Sequence, residues 1–167
     1  MTPDVEVSSA RSESQQFWLT VKKLVPEAVC YQMLGNHDAR PMKRIKERCP
    51  ELEPFVRLSD LWSFPGVRTL SDEREELLLG DVVFMHGYRA RLGEHVRYNL
   101  KNTVCGHTHR GGVFYHCQED QMLWELNCGY FGDRFALPFG YTAQRRFSHW
   151  TLGFGIIDEY GPRFIPL

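Results

Sequence analysis

The order of apolar and polar residues predicts helices and strands that alternate in the earlier part of the chain, followed by strands alone. In the helical stretches an apolar residue recurs every three or four positions, whereas short apolar runs closed by glycine are typical of buried strands. The predicted helices cover residues 12–24, 41–48 and 92–100. The predicted strands cover residues 28–34, 81–85, 103–105, 113–117, 122–127, 152–158 and 164–166.

Individual residues mark where some of these elements begin and end. Ser12 is the expected N-cap of the first helix, Pro26 ends it, and Pro41 lies in the first turn of the second helix. Residues 1–11 are expected to be irregular, and residues 50–75 carry no assignment because they mix prolines, charges and aromatic residues. Helices between the early strands and a β-rich tail indicate an α/β fold with a mixed sheet.

Composition narrows the class of protein. The 167 residues suit a single domain over residues 1–167, and 43% hydrophobic with 25% charged residues is typical of a globular protein. A formal net charge of −1 provides no overall field that would attract nucleic acid. The longest apolar runs, residues 77–79 and 82–85, are far shorter than the roughly 20 residues that span a bilayer, so no membrane partner is expected.

The N-terminus and the cysteines predict a location in the cytoplasm. Residues 1–14 are polar and lack the apolar core of a signal peptide. The five cysteines form no Cys-x-x-Cys pair, and an odd number fits poorly with a disulfide framework. We therefore expect free thiols that mostly pack in the core, as in a reducing compartment.

Three segments place histidine or asparagine at the glycine that closes a predicted strand. These segments are residues 34–38, 84–87 and 105–110, and they hold four of the seven histidines. Ligands gather at the carboxyl ends of strands in α/β sheets, and glycine permits the tight turns that such a site needs. One histidine beside a glycine is usually a turn residue, but three such junctions together favour a shared site.

The residue types at these junctions favour a metal ion. Imidazole nitrogens and an amide oxygen are suitable ligands for Mn, Fe, Zn or Ni, while the lack of paired cysteines disfavours a structural zinc knot. No functional role is expected for the remaining histidines, His95, His116 and His149.

The sequences GNHD, HG and GHTHR, in this order, resemble the last three signature blocks of the calcineurin-like metallophosphoesterases. The helix before GNHD and the β-rich tail with Trp150 and Gly153-Phe154 are similar to bacterial and phage members, so the resemblance extends from about residue 12 onward. It implies the C-terminal part of a four-layer α/β/β/α sandwich. It also implies metal-dependent hydrolysis of phosphomonoesters or phosphodiesters, with Mn as the first choice of metal.

The resemblance implies two adjacent metal sites. Asn36, His86 and His107 resemble the ligands of one metal, and His109 resembles a ligand of the other. On extended backbone, His107 and His109 would face the same side, as two ions about 3.5–4 Å apart require.

The resemblance also implies the acid and the phosphate contacts. His37 resembles the proton donor to the leaving oxygen, with Asp38 orienting its ring, while a hydroxide shared by the metals attacks phosphorus. Arg40 and Arg110 follow two of the blocks and are candidates to bind a phosphate oxygen, with solvated surface arginines as the equal alternative.

Two earlier blocks of the family, Asp-x-His and Gly-Asp-x-x-Asp, do not precede Asn36. One metal would then keep three ligands and the other only His109, so one or two ions are expected. The first strands of the sandwich are expected to be missing as well, which would expose a sheet edge and favour self-association. Three explanations remain open: an N-terminally incomplete chain, which the polar residues 1–9 favour; a separate polypeptide that supplies the missing segment; or a degenerate member.

Two other functions remain open beside hydrolysis of a phosphoester, whose substrate can include nucleotides or nucleic acid. A degenerate chain could be a non-catalytic binding or scaffold module that keeps one ion. A nucleic-acid-binding protein could instead use the basic residues of the second predicted helix, although such a run is more often a solvated face. These residues are Arg40, Lys43, Arg44, Lys46 and Arg48.

Overall fold

The computed structural model describes residues 3–132 and 150–167. The chain forms two compact units, Met1–Glu75 and Glu76–Leu167. Helices and a mixed sheet are both present, which confirms the predicted α/β class.

The first unit is mainly helical and contains one small parallel sheet. Strands β1 and β2 pair in parallel, with Cys30 opposite Val67. In chain order its elements are α1 (Pro3–Leu24), β1 (Cys30–Gln32), α2 (Arg40–Arg48), a 3₁₀ helix (Pro50–Phe55), α3 (Leu58–Leu61) and β2 (Val67–Thr69).

Helix α1 begins much earlier than its apolar pattern predicts. The expectations of an irregular segment over residues 1–11 and of an N-cap at Ser12 are wrong, because the helix already starts at Pro3. Proline is tolerated there, since its missing N–H has no partner in a first helical turn. The next turns hold exposed polar residues and therefore show no apolar stripe, although Ala10 packs against the core. The end of α1 before Pro26 is confirmed.

One apolar cluster holds the GNHD segment of this unit. Leu34 and Ala39, which flank the segment, are 1% and 2% exposed. They pack with Leu58, Trp62 and Phe64 from the stretch that the sequence left without assignment. The indole Nε1 of Trp62 also donates a hydrogen bond of 3.2 Å to the carbonyl oxygen of Asp38. This core therefore determines where the loop after β1 lies.

The second unit contains a five-stranded mixed sheet in the order β3-β4-β5-β7-β6, and a separate antiparallel pair, β8 and β9. Strands β4, β5 and β7 run parallel, so their carboxyl ends lie at one edge of the sheet. The elements are β3 (Leu77–Leu79), β4 (Val82–Phe84), α4 (Glu94–Asn99), β5 (Asn102–Cys105), β6 (Gly112–Gln118), β7 (Gln121–Asn127), β8 (Gly153–Asp158) and β9 (Gly161–Pro166). The sequence predicted all of these except β3, with shifts at their ends.

Buried polar residues are concentrated in the second unit. His95, Thr103, Glu125 and Asn127 are all 0% exposed. A buried polar group without a hydrogen bond destabilises a fold by about 1–3 kcal/mol, so each of these residues requires a partner. The partners of His95 and Asn127 lie in the loops after β4 and β5, and those of Glu125 lie at the start of α4. Thr103 donates to the carbonyl oxygen of Lys101.

Two sequence-based expectations concern the chain as a whole. None of the described helices has both the length and the apolar character needed to cross a bilayer. All five cysteines are free thiols, as expected, and Cys30 and Cys105 are buried.

We expect the substitution Leu34→Ala to lower the free energy of unfolding by about 2–5 kcal/mol, because it removes a buried side chain and leaves a cavity. Leu52→Ala is the matched control, since Leu52 is 48% exposed and should change stability by about 0.5 kcal/mol or less. Urea denaturation followed by tryptophan fluorescence measures both. Equal losses in the two variants would contradict this description of the core.

Candidate functional site

Two of the predicted metal ligands contact each other in the second unit. His86 follows β4 and His107 follows β5, and these strands are parallel neighbours. Nε2 of His86 lies 3.2 Å from Nδ1 of His107. The backbone N–H of Gly106 donates to the carbonyl oxygen of His86 at 3.0 Å, which joins the two loops.

The spacing of these two nitrogens suits a shared cation. Metal–nitrogen bonds of roughly 2.0–2.1 Å in a tetrahedral arrangement place two ligand nitrogens about 3.3 Å apart. The observed 3.2 Å also suits a hydrogen bond in which one ring donates its N–H to the other. Burial and the nearby His95 lower the pKa of His107, which favours the neutral imidazole that binds metals.

His107 and His109 do not lie on extended backbone. Both adopt the left-handed conformation, with φ of 63° and 60°. The expected extended backbone is therefore wrong, and with it the reason for expecting both side chains on one side. The His109 ring packs edge-on against Trp150, with centroids 4.2 Å apart, and lies 5.3 Å from the Tyr130 ring. The carbonyl oxygen of His109 accepts the N–H of Thr151 at 2.8 Å.

Asn127, at the end of β7, holds this unusual loop in place. Its side-chain amide donates to the carbonyl oxygen of Gly106 and to Oγ1 of Thr108, both at 2.9 Å, and its oxygen accepts the N–H of Gly129 at 3.2 Å. A left-handed non-glycine residue costs roughly 1–2 kcal/mol, and the hydrogen bonds of this buried amide offset that cost. The sequence analysis missed Asn127, although a polar residue that ends an apolar strand is a signal for such a role.

In the first unit, the GNHD loop after β1 is closed by its own carboxylate. Oδ2 of Asp38 accepts the N–H of Gly35 at 2.7 Å, and Nη2 of Arg40 lies 3.2 Å from Nε2 of His37. Burial raises the pKa of Asp38, and the hydrogen bonds from Gly35 and its own backbone offset part of that rise. Asn36 and His37 are both half-buried in this loop.

A second group of possible metal ligands includes a histidine for which the sequence predicted no role. Donor atoms of His95, Cys105 and Glu125 lie within 4.8 Å of one another, so this buried group could hold a metal ion. Burial and the neighbouring Glu125 raise the pKa of the Cys105 thiol, which disfavours the thiolate that metals require. Of the other two histidines, His116 lies on β6 and His149 lies outside the described residues.

The two candidate phosphate-binding arginines and the basic helix α2 are exposed. Arg40 and Arg110 lie on the surface, where a phosphate group can reach them. On α2, which buries no residue, Lys43 lies 3.4 Å from Glu73 and Lys46 lies 3.3 Å from Glu53. These ion pairs reduce the positive potential of the helix, and nucleic-acid binding by α2 stays a prediction.

A scan of protein-family models finds no match to this chain, and no curated protein matches it.

We expect the stability of the chain relative to Asp38→Asn to fall as the pH rises from 3.8 through the folded-state pKa of Asp38. The pKa of Asp38 is raised above 3.8 in the folded state, so the unfolded state loses this proton at a lower pH than the folded state does. A rise in pH over this interval therefore stabilises the unfolded state relative to the folded state. Urea denaturation at pH values from about 3 to about 7 measures the trend. Asp60→Asn, the same substitution at an exposed position, controls for the loss of one charge. A difference between the chain and Asp38→Asn that does not vary with pH would refute the expectation.

We expect Asn127→Ala to lower the free energy of unfolding by about 1–3 kcal/mol, because Gly106 and Thr108 lose the hydrogen bonds that this buried amide donates. Asn99→Ala is the matched control, since the side-chain amide of Asn99 makes only long contacts, 3.4 Å to Oγ1 of Thr103 and 3.6 Å to the sulfur of Met85. Thermal denaturation of both variants provides the comparison. The assignment fails if Asn99→Ala destabilises the chain as much.

Proposed function

We propose that the chain is a metal-dependent phosphoesterase that hydrolyses phosphomonoesters or phosphodiesters. The observation that supports it best is the 3.2 Å contact between His86 and His107 at the ends of two adjacent parallel strands. Carboxyl ends of parallel strands are where α/β proteins bind ligands. The order of the GNHD, HG and GHTHR blocks adds the reaction class, by resemblance to the calcineurin-like metallophosphoesterases.

The proposal assigns His86 and His107 to one divalent cation and His109 to a second, and for Asn36 it keeps the ligand role that the resemblance implies. Manganese is the first candidate, with Fe, Zn or Ni as alternatives, and the proposal covers one or two ions. Such a cation supplies Lewis acidity toward phosphoryl oxygens. Asn127 contributes by holding the loop that carries His107 and His109.

The acid in this proposal is His37. A positioned imidazole can protonate a leaving alkoxide near neutral pH, and such a step contributes about 10²–10⁴-fold to the rate. Arg40, whose guanidinium lies 3.2 Å from the ring of His37, is the proposed contact for a phosphate oxygen. Arg110, which follows His109 directly, has the same proposed role.

The proposal also includes the four-layer sandwich that the resemblance implies. The five-stranded mixed sheet of the second unit would form part of a four-layer α/β/β/α arrangement that lacks its first strands. Self-association or a complementing segment could then complete the sheet edge. The substrate class includes nucleotides and nucleic acid, and a cytoplasmic location is proposed from the five free cysteines.

A non-catalytic module is the second candidate. It is favoured by one observation: the 3.2 Å between Nε2 of His86 and Nδ1 of His107 also suits a hydrogen bond between the two rings without any metal. Such a module would keep one ion or none and would bind a ligand without turning it over.

We expect Mn-dependent hydrolysis of bis-p-nitrophenyl phosphate or p-nitrophenyl phosphate by the purified chain. His107→Ala should weaken Mn binding and lower turnover at least about 100-fold, and His37→Ala should lower kcat by about 10²–10⁴-fold at unchanged metal content. His116→Ala, a histidine substitution on β6, is the matched control and should stay within about two-fold of the unchanged chain.

Metal analysis of the same samples separates the two candidates. One or two ions per chain with turnover supports the phosphoesterase. One ion or none in a folded chain without turnover supports the non-catalytic module. Turnover that is equal in the unchanged chain and in His37→Ala would refute the assigned acid.

A further inference from the structure

We propose that His95 and Glu125 form a buried positioning pair that determines where His86 lies. Both side chains are 0% exposed, and neither belongs to the three motifs that carry the resemblance. The inference deepens the proposed function and rests on it for the role of His86 as a metal ligand. The hydrogen bonds of the pair do not depend on that role.

Glu125 connects β7 to the start of α4. Its Oε1 accepts the N–H of Gly93 at 2.8 Å, and its Oε2 accepts the N–H groups of His95 at 2.8 Å and Val96 at 3.1 Å. The first N–H groups of a helix have no partner within the helix, and Gly93 has no side chain to cap them. A carboxylate from a distant strand therefore fixes the beginning of α4, through charge-assisted hydrogen bonds.

Helix α4 in turn presents His95 to the loop that follows His86. Nε2 of His95 accepts the backbone N–H groups of Tyr88 at 3.1 Å and Arg89 at 3.2 Å. An imidazole nitrogen that accepts hydrogen bonds carries no proton, so in the neutral ring the proton lies on Nδ1. Nδ1 has no hydrogen-bond partner and lies 3.7 Å from Oε2 of Glu125, which stabilises this tautomer electrostatically.

Gly87 allows the loop to approach the ring this closely. Its φ is +95°, and a Cβ built there would lie 3.3 Å from Cε1 and Nε2 of His95 and 3.4 Å from Cβ of Cys105. The residue after His86 is therefore glycine because the imidazole of His95 occupies the adjacent space. Three consecutive residues, 87–89, thus contact one buried ring.

The same hydrogen bonds favour a positioning pair over a metal ion at His95, Cys105 and Glu125. A cation on Nδ1 of His95 would require the ring proton on Nε2. That proton would face the N–H groups of Tyr88 and Arg89, so two hydrogen bonds would be replaced by repulsion. Burial alone would raise the pKa of Glu125, but the nearby ring of His95 and the hydrogen bonds from the backbone of Gly93 and Val96 lower it, which keeps the carboxylate charged.

His95 and Glu125 orient a proposed metal ligand without binding the metal themselves, and this determines how much their removal should weaken metal binding. Residues that orient a metal ligand typically change metal affinity by about 10–100-fold when they are removed. We therefore expect His95→Ala to weaken binding of Mn²⁺ alone by about 10–100-fold. His95→Gln should restore affinity to within about five-fold, because its side-chain oxygen can accept both N–H groups as Nε2 does.

Val96→Ala is the matched control for loss of packing. Val96 is 0% exposed on the same helix, and its N–H, which bonds Glu125, is kept in the variant. It should leave Mn²⁺ affinity within about two-fold of the unchanged chain. Titration of the full chain and its three variants with Mn²⁺ measures the series. Equal weakening in Val96→Ala and His95→Ala, or no rescue by His95→Gln, would overturn the positioning role.

Amide hydrogen exchange separates this inference from the proposed function, because it needs neither metal nor substrate. The N–H groups of Tyr88 and Arg89 should exchange slowly in the unchanged chain and in His95→Gln, and at least about ten-fold faster in His95→Ala. If the chain shows no turnover but this pattern holds, the function fails and the positioning pair stands. Equal exchange in the unchanged chain and His95→Ala would refute the pair.

A cobalt titration tests the competing metal site directly. Co²⁺ bound by His95, Cys105 and Glu125 would produce a thiolate absorption band that is lost in Cys105→Ser. That result would overturn the inference, whereas Co²⁺ binding without such a band would support it.

Discussion

Buried polar groups must form hydrogen bonds, and in the second unit this requirement joins strand β7 to the start of α4 and to the loop after β5. Glu125 and Asn127 lie two positions apart on β7, so they face the same side of the sheet. One bonds the start of α4 and the other bonds the loop after β5. Without these partners, two fully buried polar side chains would each destabilise the unit. The loops and the strand therefore depend on each other.

This dependence explains why the loop conformations can be unfavourable in themselves. His107 and His109 both adopt left-handed backbone, which is rare for residues other than glycine. Such conformations persist where the surroundings determine them, and they are frequent at functional sites. Here the surroundings are the amide of Asn127 and the hydrogen bond between Gly106 and the carbonyl oxygen of His86. A rigid support of this kind suits side chains that must hold a fixed spacing.

Much of the fold could be predicted from local pattern, and less of the site could. Apolar runs closed by glycine located β1, β4 and β5, because burial of a strand leaves a direct trace in the sequence. The start of α1 left no such trace, since residues of its early turns such as Ser8, Ser9 and Arg11 are polar and exposed. His86 and His107 were correctly expected to lie together. His95 was dismissed as a histidine without a role, because its partners are backbone N–H groups that no side-chain pattern reveals.

The sequence by itself determined the α/β class, the strands that are followed by glycines, and the histidines beside those glycines. These features depend on residues near one another along the chain. Only the tertiary structure decided which buried atoms meet: the carboxylate of Glu125 reaches the N–H of Gly93, a separation of 32 residues. Hydrogen-bond geometry depends on distances of a few tenths of an ångström between distant segments, and hydrophobic periodicity carries no information on that scale. The support of the candidate site is therefore a property of the folded chain.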